Sequence, residues 1–121
     1  MNKPLGYLLE ESMVAVWSER NEARRLEALE RLYTPGVNFF EPDSLFHGRQ
    51  AVHERVGEFL AKWPANFVFY FNQPARVNHF LVQLSWYFGA PGAPPVVSGM
   101  DLAVVESGRI GELYLFLDTP A

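Results

Sequence analysis

The 121-residue sequence predicts an α+β domain, with its helices first and an antiparallel meander after them. Three observations carry this. Apolar residues recur at intervals of three and four between positions 5 and 33, and again between 49 and 63. From Asn66 onward the chain is rich in β-branched and aromatic residues. The links between these later runs, "NH", "GAPGAPP" and "SG", are short, as antiparallel hairpins require.

The first helix sets Leu9, Met13, Val16 and Trp17 on one face. The second turns Ala23, Leu26, Leu29 and Leu32/Tyr33 inward and leaves Arg24, Arg25, Glu27 and Arg31 to solvent. Pro35 and Gly36 in "YTPGVNFFEP" end it, because proline has no amide hydrogen to continue the ladder. "VNFFE" then reads as a short strand and "PDSLFHG" as a loop. A third helix runs from about Arg49 to Trp63, with Val52, Val56, Phe59, Leu60 and Trp63 in phase, and Pro64 closes it. Four strands follow: "NFVFYFNQPARV", "FLVQLSWYF", "PVVSGMDLAVVE" and "RIGELYLFLD". No repeat, linker or low-complexity segment divides the chain, so residues 1–121 are expected to form one domain.

Composition narrows the function classes. The formal net charge is −4 and Lys and Arg form no cluster, so nucleic acid is not an expected partner. The absence of cysteine excludes disulfides, thiolate metal sites and a cysteine nucleophile. His47, His53 and His79 are dispersed without HxxxH or HExxH spacing, so no metal is expected. Ser85 and Ser98 lack the glycine elbow of a serine nucleophile. No apolar run reaches the ~18 residues of a membrane span. Glu10 and Glu11 interrupt what would be a signal-peptide core. The expectation is a cytoplasmic protein with no membrane contact. Aromatic residues make up 15% of the chain, which favours a large core, an apolar pocket or a buried subunit interface.

One residue stands out from its surroundings. Asp101 lies inside the apolar run "VVSGMDLAVVESG", with Val97, Gly99 and Ala103 on its own face at the strand period. A buried carboxylate is costly unless it is hydrogen-bonded, paired or kept protonated. Either Asp101 faces water, or the interior holds a polar site. In an interior with no cation nearby in sequence, its carboxyl would be protonated and would act as a donor.

The order of elements, together with "LYTPGVNFFEP", "HGRQAV", "KWP", "SWYF", "SGMDLAVVESGRI" and the terminal "YLFLD", resembles the nuclear transport factor 2-like superfamily. Within it, the pattern is similar to the SnoaL-like and ketosteroid-isomerase-like branches, and it extends over nearly the whole chain. The resemblance implies a cone-shaped fold, three N-terminal helices packed on a curved antiparallel sheet around an apolar pocket, with homodimerisation through the sheet. It also implies chemistry. In ketosteroid isomerases an acid just before a proline is the general base, a position held here by Glu41 of "FFEP". A second acid, kept neutral, donates a hydrogen bond to the developing oxyanion, and "GMDL" places Asp101 there.

The sequence departs from the pattern where those isomerases carry a tyrosine as main oxyanion donor, since Met13 occupies that position. Loss of one such donor costs on the order of 10²–10³ in rate, so steroid isomerisation itself is not expected. Tyr33, Tyr87 and Tyr114 are the available substitutes. Limonene epoxide hydrolases need an arginine two residues before the strand aspartate, and Gly99 stands in that slot. Polyketide cyclases of the SnoaL branch use a late aspartate with a nearby histidine, for which Asp118, His47 and His79 are candidates. The expected function is cofactor-independent acid/base proton transfer, of isomerase or cyclase type, on a small apolar carbonyl compound. Glu41 and Asp101 would be catalytic, Trp17, Phe39, Phe69, Trp86 and Met13 would form apolar walls, and His47 would sit at the mouth. The alternative is a non-catalytic small-ligand-binding or dimerisation module, in which Glu41 is a solvated strand end.

Overall fold

The computed structural model describes residues 5–118. Helix α1 (Tyr7–Ser12) continues into a π-helical turn (Met13–Trp17), and α2 (Glu22–Leu32) follows. Strands β1 (Tyr33–Glu41) and β2 (Ser44–His47) form a hairpin, after which comes α3 (Arg49–Leu60). The remaining strands are β3 (Val68–Tyr70), β4 (Arg76–Asn78), β5 (Leu81–Gly89), β6 (Val97–Glu106) and β7 (Arg109–Leu117). They make one sheet in the order β2-β1-β7-β6-β5-β3, with β4 also on β5.

The sheet is mixed rather than wholly antiparallel. Strands β1 and β7 pair in parallel, Phe39 opposite Leu113 and Phe40 opposite Tyr114. Hairpin links constrain only strands that are neighbours in sequence. Between β1 and β7 the chain passes through α3 and the whole meander, long enough for a parallel return. Strand bounds also differ from the expectation: β1 begins at Tyr33 and runs through Pro35 and Gly36, ahead of the expected "VNFFE". "SLFH" within the expected loop pairs with β1, and "NFVFYFNQPARV" divides into β3 and β4 around Pro74, which cannot donate to a ladder. The turn between β6 and β7 needs two residues with positive φ, and Ser107 (51°) and Gly108 (77°) adopt it.

On α2 the buried face is Arg25, Ala28, Leu29 and Leu32, one step from the expected phase. Ala23 is exposed, Leu26 is 37% exposed, and Arg25, expected in solvent, is buried. Burial of Arg25 is compensated by hydrogen bonds. Its guanidinium donates to the Glu19 carbonyl (2.6 Å) and to Nδ1 of buried His53 on α3 (3.1 Å). Asn21 caps α2 by accepting from the Arg24 amide at 2.9 Å. Arg20 donates to the Leu60 and Pro64 carbonyls, both at 2.9 Å, and so ties the end of α3 to the loop before α2.

The core lies between the helices and the inner sheet face. Leu8, Leu9, Val16, Leu29 and Leu32 from the helices meet Val82, Leu84, Phe88, Ala103 and Leu113 from the strands. Strand alternation accounts for the inner set, since residues 82, 84, 86 and 88 of β5 are all buried. Toward the ends of β1, β6 and β7 the helices no longer fill this face, and a cavity remains.

Candidate functional site

The cavity has a volume of about 280 Å³, and among the described residues thirteen line it, of which ten are apolar. The three polar ones are Glu41, Arg55 and Asp101. Sheet register explains why the two acids share this wall. Phe40 pairs with Tyr114, so Glu41 falls beside Leu115, and Leu115 pairs with Asp101. The two acids therefore stand two strand spacings apart, about 10 Å between α-carbons, with inward side chains separated by Leu115.

Asp101 is 6% exposed and accepts a hydrogen bond from Nε1 of Trp86 (3.0 Å) at Oδ1. Among the described residues no donor meets its other oxygen. Burial raises its carboxyl from 3.8 to about 7, against the smaller opposing effect of the Trp86 bond. Gly99 fixes the Trp86 ring. Trp86 is paired with Gly99 across β5 and β6, and a Cβ at position 99 would lie 2.8 Å from the ring and collide with the Phe116 carbonyl. The slot that an epoxide hydrolase gives to arginine is thus closed by an indole and a strand.

Glu41 occupies the end of β1, next to Pro42, and faces α3. Arg55 Nε donates to its Oε2 at 2.7 Å, and Nη2 reaches Oε1 at 3.4 Å. Glu58 lies 3.5 Å from the same guanidinium, which sits 5.8 Å from the centroid of the Phe46 ring. Arg55 was not singled out from the sequence, although it falls three residues after Val52 and four before Phe59, in phase with the inward face of α3. Phe59, Val97, Leu115 and Leu117 were also missed as lining residues. Their apolar character fits a core as well as a wall, so no signal separates the two in sequence.

The π-helical turn brings Met13 and Trp17 onto the cavity together. Trp17 is held by its Nε1, which donates to the Tyr33 hydroxyl at 3.3 Å, and by edge contacts to Phe39 and Phe69 at 5.2 and 6.0 Å. Tyr33 is fully buried and hydrogen-bonded to Ser12, and burial pushes its phenol well above the ordinary range. It stands behind the wall rather than in it. Tyr87 stacks on Tyr70 and Tyr114 on Phe40, at outward positions of the sheet, so none of the three tyrosines lines the cavity in place of Met13.

The expected residues Glu41, Asp101, Trp17, Phe39, Phe69, Trp86 and Met13 all line this one cavity. His47 does not. Strand alternation turns it to the outer face of β2, where Nδ1 lies 2.7 Å from Oδ1 of Asn38 and the side chain is exposed. His79 is exposed in the turn between β4 and β5, and Asp118 is exposed after β7, with its amide bonded to the Ser98 carbonyl. Among the described residues no three His, Asp or Glu side chains converge as a metal site. No helix among them is long and apolar enough to cross a membrane.

No family model and no curated protein matches the chain. Solved structures do. The chain is similar to a candidate isomerase of the SnoaL-like family from Agrobacterium tumefaciens, with a TM-score of 0.83 at 20% identity, covering 93% of this chain and 96% of that one. It is similar to a candidate SnoaL-like polyketide cyclase from Jannaschia (TM-score 0.70, 15% identity, 98% and 90% covered). A candidate ketosteroid isomerase from Kribbella flavida gives a TM-score of 0.70 at 13% identity, with 97% and 79% covered. What these proteins share with this chain is an architecture of three helices on a mixed, curved sheet, and the chain has the nuclear transport factor 2-like fold.

Proposed function

We propose that the protein is a SnoaL-like pocket protein that carries out acid/base proton transfer, of isomerase or cyclase type, on a small apolar carbonyl compound. The observation that carries this reading is the placement of two carboxyl groups, Glu41 and Asp101, on one wall of one apolar cavity. In an isomerisation Glu41 takes the proton from the carbon beside the carbonyl. Protonated Asp101 donates a hydrogen bond to the oxygen on which charge grows. Glu41 then returns the proton to a second carbon of the conjugated enolate, and Asp101 keeps its own. Burial raises the Asp101 carboxyl toward neutrality, which favours the protonated donor form. Both oxygens of Glu41 accept from Arg55, and Oε1, with the longer bond (3.4 against 2.7 Å), takes the carbon-bound proton in this reading. With Met13 at the cavity wall, this site has one oxyanion donor fewer than a tyrosine would provide.

A second reading, a non-catalytic ligand-binding module, is favoured by Met13 and by the engagement of Glu41 with Arg55. Solvent deuterium exchange separates the two. The bicyclic ketone 1-tetralone in D₂O, followed by proton NMR, should lose its α-proton signal faster with the protein than without it. Asp101→Leu, which removes the donor, and Glu41→Gln, which removes the base, should abolish the acceleration. Binding without accelerated exchange, or equal rates for all three proteins, sinks the catalytic reading and leaves the module. The homodimer belongs to either reading. Its face would be the outer side of the sheet, where Phe40, Met100, Leu102 and Tyr114 adjoin Phe116, which is 52% exposed.

A further inference from the structure

The size and charge of the cavity define its ligand more narrowly than the fold does. An apolar cavity of about 150 Å³ accommodates one benzene ring. The volume here, about 280 Å³, therefore covers two fused rings, and exposed Pro42 and Leu117 mark the side open to solvent, where any further ring would stay in water. The walls resist swelling, because the rings that form them are locked by other rings. Phe69 lies edge-on to Trp86 at 5.2 Å and also packs on Phe88 at 4.5 Å and Phe59 at 5.6 Å. Displacing one of these rings displaces its neighbours, and close-packed interiors accept that only at a cost.

Charge sets the second limit. Among the described residues Arg55 is the only cation that lines the cavity, and its guanidinium already faces two carboxylates, Glu41 at 2.7 Å and Glu58 at 3.5 Å. An anionic ligand entering here meets net negative charge. A cationic ligand would have to exchange its water for Asp101 and the ring faces of Trp17 and Trp86, which replace only part of that hydration. An uncharged ligand with one acceptor oxygen avoids both penalties.

We propose that the cavity selects an uncharged carbonyl compound of two fused rings, with its oxygen directed to Asp101, over four-ring skeletons and over charged ligands of the same size. This rests on the pocket reading above, but not on catalysis. The test is a binding series read by calorimetry and by the fluorescence of Trp17 and Trp86: cyclohexanone, 1-tetralone, a four-ring steroid ketone, 1-naphthoate and 1-aminotetralin. 1-Tetralone should bind at least about tenfold more tightly than each of the other four, the scale on which a hydrophobic pocket discriminates by size. Met13→Ala, which removes wall volume, should narrow the margin over the steroid ketone. Equal or tighter binding of the steroid ketone or of either charged bicycle overturns the proposal, as does failure of 1-tetralone to bind at millimolar concentration. If 1-tetralone binds best yet exchanges no deuterium, catalysis falls and this inference stands. If exchange is fastest on the steroid ketone, the reverse holds.

Discussion

Replacing Asp101 with asparagine should make the protein more resistant to alkaline pH, with an effect that grows from acid to neutral and then stops. The unfolded chain ionises this carboxyl at 3.8, while burial holds the folded group to about 7. Below 3.8 both states are protonated and the residue is neutral in the balance. Between those values the folded state keeps a proton that the unfolded state has released, so stability falls as pH rises. Above about 7 both states are ionised and the loss is complete. At about 1.4 kcal/mol per pH unit, the interval from 3.8 to about 7 corresponds to roughly 4 kcal/mol. Between pH 5 and pH 8 the share lost is roughly 3 kcal/mol. Asparagine keeps the acceptor for Trp86 Nε1 and cannot ionise. Its amide adds a desolvation cost, but that cost does not depend on pH. Urea denaturation of both proteins at pH 5, 6, 7 and 8 gives the difference in unfolding free energy at each pH. That difference should move in favour of Asp101→Asn by roughly 3 kcal/mol across the series. A constant difference would refute the reasoning, because it would mean that Asp101 titrates alike in both states.

Three other outcomes are expected. Gly99→Ala should force the Trp86 indole off the strand, destabilise the protein by about 1–3 kcal/mol and shift the indole N–H resonance; an unmoved resonance would mean that Trp86 is held by something other than Gly99. His53 is lowered by burial and by Arg25, with Glu22 and Glu54 opposing, and must stay neutral to accept from Arg25. Its contribution is complete above the unfolded value of 6.5 and is lost as pH falls below it, so the unfolding free energy of His53→Gln relative to the unsubstituted protein should rise as pH falls from 7 to 5 in urea titrations; a constant difference would mean that His53 titrates alike in both states. Phe116→Asp, on the outer sheet face, should convert a dimer to a monomer in light scattering at constant helix and strand content; a wild-type monomer would remove the proposed interface.

The elements were largely legible in the chain because local patterns specify them. The 3.6-residue period of "VHERVGEFL" and the alternation in "LVQLSWYF" arise from backbone geometry alone, and each forms the element it predicts. Asp101 was legible for a related reason: an acid among small apolar residues on one strand face is already a local conflict. Arg25 was not, because shifting a helix face by one residue needs the identity of the partner. Only the packed α3, which brings His53 to its guanidinium, decides that it is buried.

The local sequence thus determined the main helical segments and the long strands β5, β6 and β7, that an acid stands in an apolar strand, and that an acid precedes Pro42. Tertiary structure alone decided that the two acids share a wall, because their approach depends on the parallel return of β7 beside β1, where Phe40 meets Tyr114 from 74 residues away in the chain, invisible to any local period. It also decided that Arg55 holds Glu41 and that His47 faces outward. The first comes from the docking of α3 over the β1–β2 hairpin, and the second from one strand register that turns alternate side chains to opposite faces.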